Sequence, residues 1–330
     1  INLIASIVYD NIGSKVRDIM ETIEIKDFKE LPFGANVSQN AAIAPVENGL
    51  DYEILNENNV LEYIDYLNLT KVVEILAEFF DVNATAIAKE SHLCSVALGS
   101  SIENAFEKII DCDPTVVTNG TIGFSKELTL EVAKQLKSMN VRNIIAIRFA
   151  KEALDYLKSN SEANLIQIKS PLQEILGFTA ADIKVTPFGY LIQEQNLSKL
   201  TKSSFKVAGK TKPTQQQAED AIFAWKVSKY TKSKSAVIAK DLAVKAIVQS
   251  RTNGIETAEF AMDIACENSK DAVMAVDGVI ENEETINAAI QGRIGLIIEA
   301  GDGANSNKIA KLADKYNISI ITTGLRNNKY

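Results

Sequence analysis

The residues able to do chemistry fall in two short stretches. The first is Lys89-Glu90-Ser91-His92, which holds the chain's single histidine. All histidine-based acid–base chemistry must therefore pass through His92, the side chain that exchanges protons near neutral pH. Lys89 beside it could supply a cation, while Glu90, with an ordinary pKa of about 4.3, is ionised and a weak base. The plainer readings are a solvated Lys89–Glu90 pair and an ordinary turn histidine. The second stretch, Lys232-Ser233-Lys234-Ser235, crowds two cations and two hydroxyls where side chains can face a ligand. Here the plainer reading is hydroxyls that cap local backbone. A third feature, Gly301-Asp302-Gly303 ahead of a helix, could offer N–H groups to an anion, but Asp302 opposes that and favours a connecting turn.

Regular elements must position these groups. Thr214-x-x-Gln217 after Pro213 is a capping box. Ala218, Ile222 and Trp225 then recur at spacings of four and three, predicting one apolar face of a helix. Ala236-Val-Ile-Ala239 is a short apolar run suited to a strand covered on both faces. Residues 85–99 read as a strand, a polar turn and a return strand. Helices are expected at 1–26, 61–76, 101–110, 127–139 and 307–316, and strands at 143–147, 294–299 and 318–322. Residues 198–212, rich in Lys, Ser and Thr, read as a linker or long loop. Ala86-Ile-Ala-Lys89-Glu90 is echoed by Val237-Ile-Ala-Lys240-Asp241, each a strand ending in a Lys–acid pair, which suggests a duplicated α/β module.

With 330 residues the chain can bury two cores or one large one. A formal charge of −8 argues against nucleic acid as a bulk partner. Lys226, Lys229, Lys232 and Lys234 form a local basic patch, the first two read as a solvated helix face. Cys94, Cys112 and Cys266 lack CxxC spacing and fit reduced thiols of the cytoplasm. No apolar run approaches a membrane span, and the first residues lack the basic flank of a signal peptide. The chain begins at Ile1 rather than Met, so a preceding portion is expected.

From about Asp27 to Tyr330 the sequence resembles the AICAR transformylase domain, the folate-dependent half of a bifunctional purine-biosynthesis protein whose other half is IMP cyclohydrolase. FAWKVSKYTKSKS resembles the family's AWKVxKxxKSN element, and LPFGANVSQNAAI resembles LRYGENPHQxAA. TAIAKESHLCSVALG resembles KHxNPCGxAxG, DPT at 113–115 opens DPTSAFGGIIAF, and residues 184–195 resemble KRVxGGLLVQD. The resemblance implies two tandem cytidine-deaminase-like α/β modules, at 27–197 and 198–330, after an N-terminal helix or linker at 1–26. It also implies an intertwined homodimer.

The resemblance implies the chemistry as well. The family transfers a formyl group from 10-formyltetrahydrofolate to the 5-amino group of AICAR, using a Lys-His pair as cation and base. Lys89 keeps the Lys, but the His falls on Glu90 and the following Asn on His92. In an extended segment positions i and i+2 share a face, so His92 could replace the imidazole after a small shift. Gly34, Asn36 and Gln39 persist from the nucleotide loop, whereas its phosphate-binding Arg falls on Pro32. Lys234 replaces an Asn that assists at the substrate. Thr231, Ser233, Ser235 and Asp277 match positions around a structural potassium ion. The GAGQ core falls on Val248-Gln249-Ser250-Arg251, QPGGSxRD becomes EAGDGANS, and the terminal MRHFRH becomes LRNNKY.

Scaffold signatures thus outlast catalytic ones. The leading expectation is a catalytically degenerate homologue acting as a binding, regulatory or partner subunit, a homodimer or a heterodimer with an active paralogue, retaining a purine nucleotide or folate as ligand. The alternative is an active formyltransferase using Lys89 and a displaced His92.

Overall fold

The computed structural model describes residues 25–46, 48–56, 58–176, 182–201 and 204–330. The helix expected over 1–26 lies outside the described residues except for its last two, which are not helical.

A small antiparallel hairpin, β1 (Lys29–Leu31) with β2 (Ala41–Ile43), comes first. The first half of the main fold then contributes β3 (Tyr52–Ile54), α1 (Tyr63–Glu78), β4 (Asn83–Lys89), β5 (His92–Gly99) and α2 (Ile102–Cys112). It continues with β6 (Thr121–Leu128), α3 (Leu130–Leu136), β7 (Asn143–Phe149), α4 (Lys151–Asn160) and β8 (Asn164–Ile168). A single-turn α5 (Leu172–Ile175) and a second separate hairpin, β9 (Asp182–Thr186) with β10 (Gly189–Gln193), follow. The second half contributes β11 (Lys206–Ala208), α6 (Gln215–Ser228), β12 (Ala236–Lys240), β13 (Ala243–Val248) and α7 (Gly254–Ala265). It ends with β14 (Val273–Val276), α8 (Glu283–Gln291), β15 (Leu296–Glu299), α9 (Ser306–Lys315) and β16 (Ser319–Thr322).

Twelve of these strands form one mixed sheet, ordered β11-β16-β15-β14-β12-β13-β5-β4-β6-β7-β8-β3. Outward from the central β13–β5 seam, each half repeats the same plan. It has an antiparallel hairpin, three mutually parallel strands and one antiparallel edge strand. The short sequence echo therefore reports a duplication of the whole topology.

Strand alternation sends neighbouring residues to opposite faces. Ala86 and Ala88 meet α1 and α6 in one core, with Val72, Leu76, Phe79, Phe223 and Val227. Ile87 points the other way, into the core under α2, α3 and α4, while α7, α8 and α9 cover the second half of that face. Gly123 is required where α1 crosses β6, because a Cβ there would overlap Val72 and lie 2.9 Å from Leu76.

The capping box forms as expected: Gln217 N donates to Thr214 Oγ1 at 3.1 Å, and Thr214 N donates to Gln217 Oε1 at 3.0 Å. Three expectations need correction. The helix at 127–139 is shorter, because Glu127 and Leu128 still pair with β7 and helix starts only at Leu130. The linker 198–212 contains edge strand β11, whose partner β16 lies more than a hundred residues on. Lys226 and Lys229 do not line a solvated face. Lys229 Nζ pairs with Glu78 Oε1 at 2.7 Å, and Lys226 Nζ donates to the Glu78 carbonyl and lies over the Phe79 ring. Helix α6 lies against α1, so its cations satisfy the end of that neighbouring helix.

Candidate functional site

The Lys89–His92 stretch is a tight hairpin. Lys89 and His92 are the last register pair of β4 and β5, and Glu90 and Ser91 between them have φ of 51° and 62°. Two central residues with positive φ are the backbone of a two-residue hairpin turn. The chain is therefore not extended from Glu90 to His92. Glu90 sits at the exposed tip, and His92 returns on the opposite strand, directly across from Lys89. Lys89, Ser91 and His92 are half-buried. His92 Nδ1 lies 2.6 Å from the Glu90 carbonyl oxygen, which fixes the ring against the turn. Buried Asn68 of α1 accepts the Ser91 N–H at 2.8 Å, holding the turn from beneath.

The second half builds the same turn. Lys240 pairs with Ala243 across Asp241 and Leu242, both with φ of 56°. Buried Asp220 of α6 accepts the Leu242 N–H at 2.7 Å and the Asp241 N–H at 3.1 Å. Each hairpin also carries an irregularity at the matching place, Ile87/Ala88 and Ile238/Ala239. A Lys–acid pair at this turn is thus a repeated backbone device, present in both halves.

Strand directions place the two chemical stretches on one edge of the sheet. β5 is antiparallel to β4, β13 to β5 and β12 to β13, so the carboxyl end of β4 and the amino end of β12 emerge together. The carboxyl ends of β14, β15 and β16 emerge there too. β13 and β5 pair only at Ala243 and Ala97, near the opposite edge. Toward the site the Gln249 side chain spans the gap, donating to the Leu93 carbonyl at 3.0 Å and accepting the Lys232 N–H at 3.2 Å. In sequence, Gln249 stands only within the stretch Val248-Gln249-Ser250-Arg251 that replaces the GAGQ core. Nothing in local sequence signals that it joins the two halves.

The 231–235 turn is closed by its own oxygens. Thr231 Oγ1 donates toward Ser235 Oγ at 2.6 Å, Ser233 Oγ donates to Asp277 Oδ2 at 2.5 Å, and Ser235 N donates to Asp277 Oδ1 at 3.0 Å. Thr231, Ser235 and Asp277 are buried. The proposed potassium set is therefore brought together, and carboxylate and hydroxyl oxygens suit a hard cation. Asp277 also has a structural counterpart, since Ser125 Oγ accepts the Ala84 N–H at 2.8 Å at the equivalent strand entry. Among the described residues, no group of three or more His, Cys, Asp or Glu is placed to hold a metal ion.

The C-terminal segment is threaded into this network. Asn327 N donates to the Asp277 carbonyl, and its buried amide donates to Trp225 O and Ser228 Oγ. Lys329 N donates to Ser233 Oγ, and Ser233 N donates back to Lys329 O. Beside the turn lies a cleft of about 150 Å³ lined by Lys234, Asp277, Glu281, Arg326, Asn328 and Tyr330, among others. It is walled by the first turns of α7 and α8 (Gly254, Thr257 and Thr285) at the carboxyl end of a parallel strand, a usual place for ligands in α/β sheets. Its cations are already paired: Lys234 with Glu281 at 3.1 Å and Arg326 with Asp302 at 3.0 Å.

Gly34, Asn36 and Gln39 lie on the β1–β2 loop. Asn36 Nδ2 donates to Gln39 Oε1 at 2.8 Å, and Gly34 N donates to Gln39 O at 2.7 Å, so these groups shape their own loop. Burial pushes the Cys94 thiol, next to the hairpin, above its ordinary value and disfavours a thiolate there. Burial likewise lowers Lys71 of α1; Glu74 opposes this and Lys329 adds to it.

The sequence comparisons agree with this architecture. A model of the family described as AICARFT/IMPCHase bienzyme matches residues 2–264. The bifunctional purine biosynthesis protein purH of Dictyostelium discoideum is 30% identical over 309 residues, covering 90% of this chain and 56% of its own length. PurH of Caldicellulosiruptor saccharolyticus is 29% identical, covering 94% of this chain and 60% of its own length. PurH of Bacillus cytotoxicus is 28% identical, covering 99% and 64%. The chain thus spans between half and two-thirds of the length of these curated relatives.

Proposed function

The chain belongs to the AICARFT/IMPCHase bienzyme family, and from that premise we propose that it is a catalytically degenerate AICAR formyltransferase homologue of purine biosynthesis. It acts as a binding, regulatory or partner subunit. The observation that carries the reading is the pair of matching turns. Glu90, at the position of the family's His, occupies an exposed hairpin tip that the second half reproduces with Asp241. A side chain at that exposed tip is poorly placed to take a proton from a bound amine. The self-bonded Asn36–Gln39 pair and the paired Lys234 point the same way. The order of strands and the duplication support the reading of two cytidine-deaminase-like modules.

The test is formyl transfer from 10-formyltetrahydrofolate to AICAR at high protein concentration with potassium present. No turnover above a protein-free control is expected, and steady turnover would reject degeneracy. If potassium binds, Thr231, Ser233, Ser235 and Asp277 would hold it, supplying fixed positive charge under the 231–235 turn.

A second reading has one observation in its favour. His92 lies directly across from Lys89, so a cation and an imidazole do share the hairpin mouth. In that case turnover is present and His92→Ala abolishes it.

A homodimer, or a heterodimer with an active paralogue, belongs to the same proposal. Its support is the β9–β10 hairpin, which exposes Val185, Phe188, Tyr190 and Leu191, with Phe188 fully in solvent. A purine nucleotide or folate is the ligand this reading retains. Three free thiols fit a cytoplasmic setting, and no described helix is long and apolar enough to cross a membrane.

A further inference from the structure

Glu299, at the end of β15, lies outside every role assigned above. It is fully buried, and its Oε2 accepts the Ile280 N–H at 2.7 Å. Its Oε1 meets no hydrogen-bond partner among the described residues. Ile280 belongs to the 277–282 loop, which forms one wall of the cleft beside Lys234. That loop hangs on the turn after β15 by three bonds. Ala300 N donates to the Gly278 carbonyl at 2.8 Å, Asn305 Nδ2 donates to the Glu281 carbonyl at 3.0 Å, and Ile280 N donates to Glu299. The third alone ends on a group that changes charge with pH.

The charged groups around Glu299 leave its carboxylate uncompensated. On its own turn the nearest is Asp302, which is repulsive and already engaged by Arg326 of the C-terminal segment. On the loop, Glu281 is engaged by Lys234 of the 231–235 turn. Both cations that border the cleft are therefore committed elsewhere. Ionising a buried carboxyl with no counter-charge is costly, and the ready relief is for the wall loop to lift and admit water.

We infer that Glu299 is a protonation-dependent latch on the cleft: neutral, it holds the 277–282 wall closed; ionised, it releases it. The latch does not depend on which ligand the cleft takes. Burial moves the Glu299 carboxyl above its ordinary value, only partly offset by the Ile280 bond, in keeping with a neutral closed state. The sign follows from linkage. An acid whose pKa is raised in the closed form stabilises that form fully below the ordinary pKa. The stabilisation is lost as pH rises toward the raised value. In that window opening grows by up to about tenfold per pH unit, then levels off.

The experiment is amide hydrogen exchange of the intact protein without ligand, followed at Ile280 and corrected for intrinsic rates, at pH 4, 5, 6, 7 and 8. Wild-type protection should fall as pH rises, by up to about tenfold per pH unit until it levels off. Glu299→Gln keeps an acceptor for Ile280 N–H without a charge, so its protection should stay high and flat. Glu299→Ala removes the acceptor and should be poorly protected throughout; if it does not fold, wild type and Gln still decide. A flat wild-type profile overturns the latch, and so does a wild-type fall that persists unchanged in Glu299→Gln.

Discussion

Lys89 and His92 face one another as the closing pair of a two-residue hairpin, with Glu90 at the tip between them. The imidazole is therefore one strand away from the lysine, and does not share a face with Glu90 along an extended segment. Its Nδ1 is occupied by the Glu90 carbonyl, leaving only Nε2 for a substrate. His92→Ala removes a half-buried side chain outside both cores, so its stability should change by no more than about 1 kcal/mol. Urea denaturation checks this, and it makes the variant a fair probe in the formyl-transfer assay. On the degenerate reading, neither protein turns over substrate.

Asp220 gives a pH dependence separate from Glu299. Burial raises its carboxyl above the ordinary value, and the Leu242 and Asp241 N–H bonds offset this only in part. A raised folded-state pKa means the acid contributes most below its unfolded value, near 3.9, and loses that contribution as pH climbs through the raised value. Asp220→Asn retains an oxygen acceptor and removes the charge. Its stability relative to wild type should improve as pH rises from 4 through the raised value and then level off, read as the difference in urea midpoints. A difference constant with pH would mean Asp220 does not titrate in this range.

Much of the scaffold was legible in sequence because it depends on local pattern. The apolar run 236–239, the capping box at Thr214 and the echo at 86–90 and 237–241 all landed where the structure puts β12, α6 and the paired hairpins. The site was less legible, because its geometry is set by partners distant in sequence. Glu90-Ser91 has none of the Asn or Gly that marks a positive-φ turn. That conformation is supported from α1 by Asn68, 23 residues earlier. The inward turn of Lys226 and Lys229 likewise depends on Glu78, about 150 residues away. Strand β11 is three residues long and takes its identity from β16.

Asp277 should hold the C-terminal segment. Its side chain accepts from Ser233 and Ser235, its carbonyl accepts from Asn327 N, and Ser233 in turn bonds both ways with Lys329. Asp277→Ala leaves the buried Ser235 N–H without its acceptor, at a cost of about 1–3 kcal/mol. Residues 325–330 should then exchange their amides faster and yield sooner to carboxypeptidase than in wild type. If the tail stays equally protected, the Asn327 amide bonds to Trp225 and Ser228 suffice to anchor it.

The Glu78–Lys229 pair joins α1 of one half to α6 of the other, with side-chain exposures of only 9% and 11%. Tyr230 also donates its hydroxyl to Glu78 Oε1 at 2.8 Å, and burial, with Glu78 next, pushes that phenol far above the usual tyrosine range. Removing one partner strands the other: Glu78→Ala leaves a buried ammonium and should cost about 3–5 kcal/mol. Removing both behaves differently, because two long apolar side chains need no desolvation. Glu78→Met with Lys229→Met should therefore recover the part of that loss owed to the stranded ammonium, though the Tyr230 hydroxyl still lacks its acceptor. Urea midpoints of wild type, Glu78→Met, Lys229→Met and the double variant give the coupling energy. A double variant as unstable as the sum of the singles would show that the pair does not act as a unit. The α1–α6 contact would then rest on the Phe79–Phe223 rings, whose centroids lie 5.5 Å apart.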